Sequence, residues 1–228
     1  MIDKKIVARF AMRETIGAAF IGVVLFWAAG TMQWWAAWAM IVVSLLWSTG
    51  TAIVILRLSP DLLAERLGPQ EGAKKWDTTI MSIIGVLALV RLIVAGLDHR
   101  NNWTSNLGLP AQLIGLAVVV LGYALVVWAT GSNAYFSQIV RIQNERNHAV
   151  ATRGPYRIVR HPAYLGTILV EFGAPILLSS WWALIPGIVT AVLYVVRTAL
   201  EDRTLLTEMD GYQEFAAQTK YRIFPGIW

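Results

Sequence analysis

The sequence predicts an all-α integral membrane protein, a multi-span helical bundle, and three observations predict it. The chain is 57% hydrophobic and only 14% charged, with a mean hydropathy of +0.56, well beyond the composition of a soluble domain. Apolar runs near the length needed to cross a ~30 Å hydrocarbon core recur along it. Its cationic residues gather in alternate loops, as the positive-inside rule requires of a polytopic protein. That last pattern accounts for the formal charge of +5 as topology rather than as a nucleic-acid footprint. With no cysteine in the chain, disulfides, thiol nucleophiles and Cys-ligated metals are excluded.

Six apolar spans follow one another: Thr15–Gly30, Trp34–Leu56, Thr78–Leu97, Leu109–Thr130, Pro162–Leu178 and Trp182–Ala199. The first and fifth are short for a full crossing. Lys4, Lys5, Arg9 and Arg13 precede the first span, but no small-residue cleavage site closes it, so it reads as a span rather than a signal peptide. Arg57, Arg66, Lys74 and Lys75 separate spans two and three; Arg141, Arg146, Arg153, Arg157 and Arg160 separate spans four and five; Arg197, Arg203, Lys220 and Arg222 close the chain. Seventeen of the nineteen Lys and Arg thus share one side, expected to be cytoplasmic with both termini, in an inner or plasma membrane. Arg91 and Arg100 are the remainder. The opposite loops, Gln33-Trp34-Trp35 and Ser180-Trp181-Trp182, carry the Trp that suits an interface. Pro60–Asp77, with Leu62, Leu63 and Leu67 among both charge signs, reads as an amphipathic helix on the membrane surface or as a solvated connector. Glu201–Thr219 reads as a polar helix with Leu205, Leu206, Met209, Tyr212 and Phe215 as its packing stripe. The tail Tyr221–Trp228, with Pro225 and Gly226, is expected to be extended. Arg91 and Glu171 sit inside apolar spans at depths that let them pair.

Two polar clusters share the basic side. The stretch His148–Gly166 holds His148, Arg153, Arg157, Arg160 and His161 with Gly154, Pro155, Pro162 and Gly166. Gly154 and Gly166 permit close backbone approach, and Pro155 and Pro162 fix turns. Helix five begins at Pro162, leaving the amides of Ala163 and Tyr164 for an anion such as a carboxylate. The second cluster, Arg197-Thr-Ala-Leu-Glu201-Asp202, places Arg197 and Glu201 on one helix face. Its acidic pair suits a cation, an amino group or a sulfonium. Together the clusters fit a zwitterionic amino-acid moiety. Taken singly, each Arg reads as topogenic and each His as structural.

The order Asn133-x-Tyr135-Phe136-Ser137, His148, Gly154-x-Tyr156, Arg160-His161-Pro162-x-Tyr164-x-Gly166, Arg197-x3-Glu201-Asp202-x2-Leu205, Tyr212 and Arg222-Ile-x-Pro225 resembles the isoprenylcysteine carboxyl methyltransferase family and the related membrane phospholipid methyltransferases. The resemblance implies S-adenosylmethionine in a cytoplasmic, C-terminal cofactor pocket and a lipid-like acceptor entering from the bilayer. It implies no metal and no nucleic acid. Carried over, His148, Gly154, Tyr156, Arg160, His161, Pro162, Tyr164, Gly166, Glu201 and Asp202 make up the cofactor site. Arg197 faces the acceptor's carboxylate, so that Arg197 and Glu201 are the candidate catalytic residues. The resemblance divides a single membrane domain into variable spans, 1–131, and a methyltransferase core, 132–228. Asp202 departs from the family's usual second Glu, and Met209-Asp210-Gly211-Tyr212 departs from its Phe-Gly pair. A carboxylate acceptor needs only alignment and exclusion of water; an amine acceptor needs a proton removed, by Glu201 or a tyrosine. The alternatives are a phospholipid amine N-methyltransferase, an NADPH-dependent sterol-type reductase with a similar Arg-His-Pro string, and a transporter or scaffold.

Overall fold

The computed structural model describes residues 4–67, 72–104 and 107–228. The helices are α1 (Lys4–Ala29), α2 (Trp35–Leu58), α3 (Asp61–Leu67), α4 (Lys75–Asn101), α5 (Gly108–Gly131), α6 (Pro162–Leu177), α7 (Trp181–Glu208) and α8 (Tyr212–Gln218). Five of them, α1, α2, α4, α5 and α7, are long and apolar enough to cross a membrane. With 16 residues, α6 reaches only about 24 Å at 1.5 Å per residue. The chain is an all-helical integral membrane protein.

Apolarity alone places the start of α1 too late. The helix begins at Lys4 rather than Thr15 because its charged turns find partners: Arg13 pairs with Glu14 at 2.7 Å and donates to the Arg66 carbonyl at 3.1 Å. Glu14 in turn accepts the Ser48 hydroxyl at 2.9 Å from α2. In α3, Leu62 and Leu63 turn into the protein against Phe10 and Ile55 rather than out onto lipid. This corrects the surface-helix expectation for Pro60–Asp77, of which residues 68–71 lie outside the described residues. Residues 1–3, the N-terminus expected in the cytoplasm, lie outside them too.

The ends of the bundle are tied separately. At the aromatic end, Asp98 accepts hydrogen bonds from the Thr104 hydroxyl at 2.7 Å and the Ser180 hydroxyl at 2.5 Å. Trp34 is buried there, stacked on His99, while Trp35, Trp181 and Trp182 stay exposed as interface anchors should. At the basic end, Lys74 reaches Glu208 at 2.7 Å, joining α4 to α7. Arg91 and Glu171 form the buried ion pair expected of them, between α4 and α6.

The tightest seam joins α5 to α6 through glycines spaced two turns apart on each helix. A Cβ on Gly122 would lie 2.5 Å from the Gly166 carbonyl oxygen, and one on Gly115 would lie 2.4 Å from the Leu177 nitrogen. Small residues let backbones meet where lipid supplies no hydrophobic drive for association. Beyond the expected end at Ala199, α7 runs on to Glu208. The chain then breaks at Gly211, held at φ +76°, so that Glu201–Thr219 is two helices rather than one. Met209, Tyr212 and Phe215 of the expected stripe are buried together with Tyr156 and Ala163. The tail is not simply extended. Arg160 and His161 donate their amides to the carbonyls of Tyr221 and Arg222, and a turn at Pro225–Gly226 then brings the Trp228 carbonyl back over the amides of Arg222, Ile223 and Phe224.

Candidate functional site

A cavity of about 490 Å³ opens at the basic end and runs inward between the helices. His148, Tyr156, Arg160, His161, Tyr164, Arg197 and Glu201 all line it, so the two polar clusters converge on one space. The α6–α7 hairpin brings them together: Tyr164, near the start of α6, donates its hydroxyl to Glu201 in the last turns of α7. Rings of Tyr135, Phe136, Tyr156, Tyr164, Tyr212 and Phe215 form much of the wall. Ring faces beside a carboxylate make a favourable setting for a cation with diffuse charge.

Four of the expected site residues stand behind this wall. Asp202 is fully buried (0% exposed). It accepts the Tyr212 hydroxyl at 2.9 Å and the Arg222 guanidinium at 2.8 Å, and its Oδ1 lies 3.3 Å from His161 Nε2 and 3.4 Å from Arg160 Nε. One carboxylate thus gathers the two residues of the Arg-His string, α8 and the tail, and the Asp side chain is short enough to stay at the centre. Gly166 closes on Gly122 of α5, and a Cβ on Gly154, at φ +58°, would fall 2.2 Å from the Ser132 hydroxyl. Both glycines allow close approach of protein to protein, not of backbone to a ligand. Pro162 opens α6 without needing the amide its ring lacks.

Arg197 has a partner the sequence reading did not anticipate. Its Nε and Nη2 clasp Asp77 at 2.6 and 3.1 Å, and Nη2 also donates to the Gln138 carbonyl at 2.9 Å. Asp77 sits in the first turn of α4, where the helix dipole favours an acid. It also accepts the Val140 amide at 2.8 Å. The brace therefore fixes α4, α7 and the connection 132–161 together, and Glu201, one turn from Arg197, is not the partner. The signal was available: Asp77 is a lone acid entering an apolar span behind Lys74 and Lys75. Arg197 Nη1 makes no hydrogen bond among the described residues, and the guanidinium lies 5.2 Å from the Tyr164 ring centre.

The roof is the connection between α5 and α6. Arg66 donates to the Phe136 carbonyl at 3.3 Å and stacks on its ring; burial and neighbouring Arg13 lower its pKa to about 10, so it remains a cation at neutral pH. Arg141 is clamped to Glu65 at 2.7 Å and to Glu145 at 2.6 Å. His148 accepts the Gln143 amide at Nδ1, 3.3 Å away, which assigns the remaining ring proton to Nε2. Burial first, then the charges of Arg146 and Arg141, push its pKa down to about 4. Burial raises the Tyr156 hydroxyl above its ordinary value, and burial beside Asp202 does the same for Tyr212, so both stay protonated donors. Arg160 Nε, buried in the cavity wall, makes no hydrogen bond among the described residues, and Asp202 Oδ1 3.4 Å away is its ionic neighbour.

Fold and site define an integral membrane protein of packed helices with an aromatic-walled cavity that holds the polar clusters and opens at its basic end. Residues 113–207 match the model of the isoprenylcysteine carboxyl methyltransferase (ICMT) family, so the resemblance carried by the Arg160–Gly166 and Arg197–Asp202 strings is borne out over that segment. Protein-S-isoprenylcysteine O-methyltransferase B of Arabidopsis thaliana is 32% identical over 100 residues, 43% of this chain and 47% of the relative. The cobalt-zinc-cadmium resistance protein CzcN of Cupriavidus metallidurans is 22% identical over 141 residues, 61% of this chain and 60% of that one. The solved structure of the eukaryotic intramembrane Ras methyltransferase ICMT aligns with 92% of this chain and 83% of its own, at 14% identity and a TM-score of 0.49. The chain spans about half or less of the length of the curated plant relatives it matches.

Proposed function

We propose that this chain is an S-adenosylmethionine-dependent membrane methyltransferase that O-methylates the carboxylate of an isoprenylcysteine-type lipid. The observation that carries the reading is the convergence of the family segment's Arg160-His161 and Arg197-to-Glu201 strings on one cavity. When bound, S-adenosylmethionine supplies a methyl group activated on a sulfonium. His148, Tyr156, Arg160, His161, Tyr164 and Glu201 hold it, with the Arg160 guanidinium suited to its carboxylate and Glu201 to its cationic groups. Gly154, Pro162, Gly166 and Asp202 shape that site from behind. Arg197, kept charged and oriented by Asp77, offers Nη1 to the acceptor's carboxylate. A carboxylate is already nucleophilic, so these residues need only align it and exclude water. The clamped roof over 132–150 serves the second need.

In this reading the basic end faces the cytoplasm of an inner or plasma membrane, and the acceptor enters from the bilayer. The core 132–228 carries the cofactor site, while residues 1–131 complete the cavity through Trp47, Thr51, Arg66 and Arg91. The test is transfer of label from methyl-labelled S-adenosylmethionine to S-prenylcysteine and phospholipid amine acceptors, with products identified by mass. A labelled ester on the prenylcysteine is expected. A labelled phospholipid amine would reassign the acceptor, and binding of NADPH without S-adenosylmethionine would remove the methyltransferase reading. Alanine at Arg160, His161 or Glu201 is expected to weaken cofactor binding at least tenfold.

A further inference from the structure

The cavity continues past Tyr164 into the middle of the bundle, where its walls become polar again. Arg91 and Glu171 pair there, both buried, and both line the cavity. Only Arg91 Nη1 and Glu171 Oε2 engage one another; the other guanidinium nitrogens and Glu171 Oε1 make no hydrogen bond among the described residues. Charges are costly at this depth and are held where they have a task.

The facing helix, α2, has three buried polar atoms with no hydrogen bond among the described residues, on Ser44, Trp47 and Thr51, and the last two residues line the cavity. Thr51 is 4% exposed, and its hydroxyl makes no hydrogen bond among the described residues. The comparison with other buried helical threonines is telling: Thr130, Thr190, Thr198 and Thr204 each donate to the carbonyl four residues back. Thr51 does not make this ordinary bond, and it lines the cavity. One turn away, Trp47 lies against Tyr123 with its indole N–H buried and without a hydrogen bond among the described residues, and both residues line the same space. An indole N–H only donates, whereas a threonine hydroxyl both donates and accepts. Buried polar atoms left unpaired cost free energy that a ligand group can recover. The matching group is a hydroxyl, whose oxygen takes the indole proton and whose proton goes to Thr51 or Glu171.

We propose that the mid-membrane end of the cavity, formed by Trp47, Thr51 and the Arg91–Glu171 pair, is a second recognition site for an uncharged hydroxyl carried in the acceptor's tail, about 10 Å deeper in the bundle than Tyr164. The spacing is the rise of α6 from Tyr164 to Glu171. The inference rests on the proposed methyl transfer to a lipid-like acceptor, and it makes the preferred acceptor an oxygenated lipid rather than one with a plain hydrocarbon tail.

The test uses two acceptors of matched length, N-acetyl-S-geranylcysteine and its ω-hydroxygeranyl counterpart, with the full chain in lipid nanodiscs. Binding is followed by thermal shift with S-adenosylhomocysteine present, and turnover by label transfer. The hydroxylated compound is expected to bind about tenfold more tightly, the factor one recovered buried hydrogen bond supplies. Thr51→Val and Trp47→Phe should each bring the ratio of the two affinities close to one. Equal or weaker binding of the hydroxylated compound overturns the second site, as does a preference that survives in both variants. Tighter binding of the hydroxylated compound with methylation of neither keeps the second site and removes the carboxyl-methylation reading. Methylation of both with equal affinity does the reverse.

Discussion

Asp202 and Glu201 are neighbours in sequence, yet the fold gives them different work. Asp202 is fully enclosed by Arg160, His161, Tyr212 and Arg222, whereas Glu201 faces the cavity. Removing one partner from a buried charge cluster leaves the others uncompensated, at a cost of about 3–5 kcal/mol. Asp202→Ala should therefore lower unfolding stability by that order in a denaturant titration, while Glu201→Gln should leave stability nearly unchanged and weaken S-adenosylmethionine binding. Similar losses of stability in both would erase the distinction. Arg197 and Asp77 form a bidentate pair, so Arg197→Lys and Asp77→Asn should be non-additive, with a coupling of roughly 1–3 kcal/mol in a double-mutant cycle. Additive losses would mean the brace is not one unit. His148 is held neutral, with a folded pKa near 4 against an ordinary 6.5. Between those values the unfolded chain binds more protons than the folded one, so stability falls as pH drops from about 6.5 to about 4. His148→Gln should flatten that part of the stability profile, and an unchanged slope would assign it to other groups.

The helix pair α5–α6 carries the cavity's inner wall, and its geometry depends on Gly115, Gly122, Gly166 and Gly173. Each helix shows the same seven-residue interval, two turns, so the seam is written in the sequence once the partner helix is known. A Cβ on Gly122 would meet backbone at 2.5 Å, which no side-chain rotation relieves. Gly122→Ala should cost about 1–3 kcal/mol by overpacking and should loosen Tyr164 from Glu201 by pushing α6 outward. Gly85 has open space around its would-be Cβ, so Gly85→Ala is the control and should be neutral or slightly stabilising. Equal thermal midpoints for the two variants in detergent would show that the close approach is not required.

The bundle is polarised. Loops at one end hold Trp34, Trp35, Trp181 and Trp182, and the other end gathers seventeen of the nineteen Lys and Arg. The ion pairs Lys74–Glu208, Arg141–Glu65 and Arg197–Asp77 all join elements at that basic end. The chain has no cysteine, so single introduced thiols report topology cleanly. In intact cells Gln218→Cys should be protected from an impermeant thiol reagent and Gln33→Cys labelled, both positions being exposed on the molecule. The opposite pattern would invert the proposed orientation and put the cavity mouth on the wrong side for a cytoplasmic cofactor.

Hydropathy, charge placement and two short polar strings determined that this is a helical membrane protein, roughly where its helices lie, and which polar residues meet in the cavity. These are properties of residues near one another in the chain, where burial in lipid and the cost of moving charge across it act locally. The Arg91–Glu171 pair was also legible, because two intramembrane charges of opposite sign at similar depth have few other ways to be satisfied. Tertiary structure alone decided the partners across helices. Asp77 rather than Glu201 braces Arg197, Asp202 serves as an anchor behind the cavity, and Gly154 and Gly166 admit protein rather than ligand. It alone showed that Thr51 and Trp47, unremarkable in an apolar run, turn unpartnered atoms toward the same space as Glu171. The physical reason is that helical periodicity gives each residue a face, but which neighbour that face meets depends on the packing of whole helices.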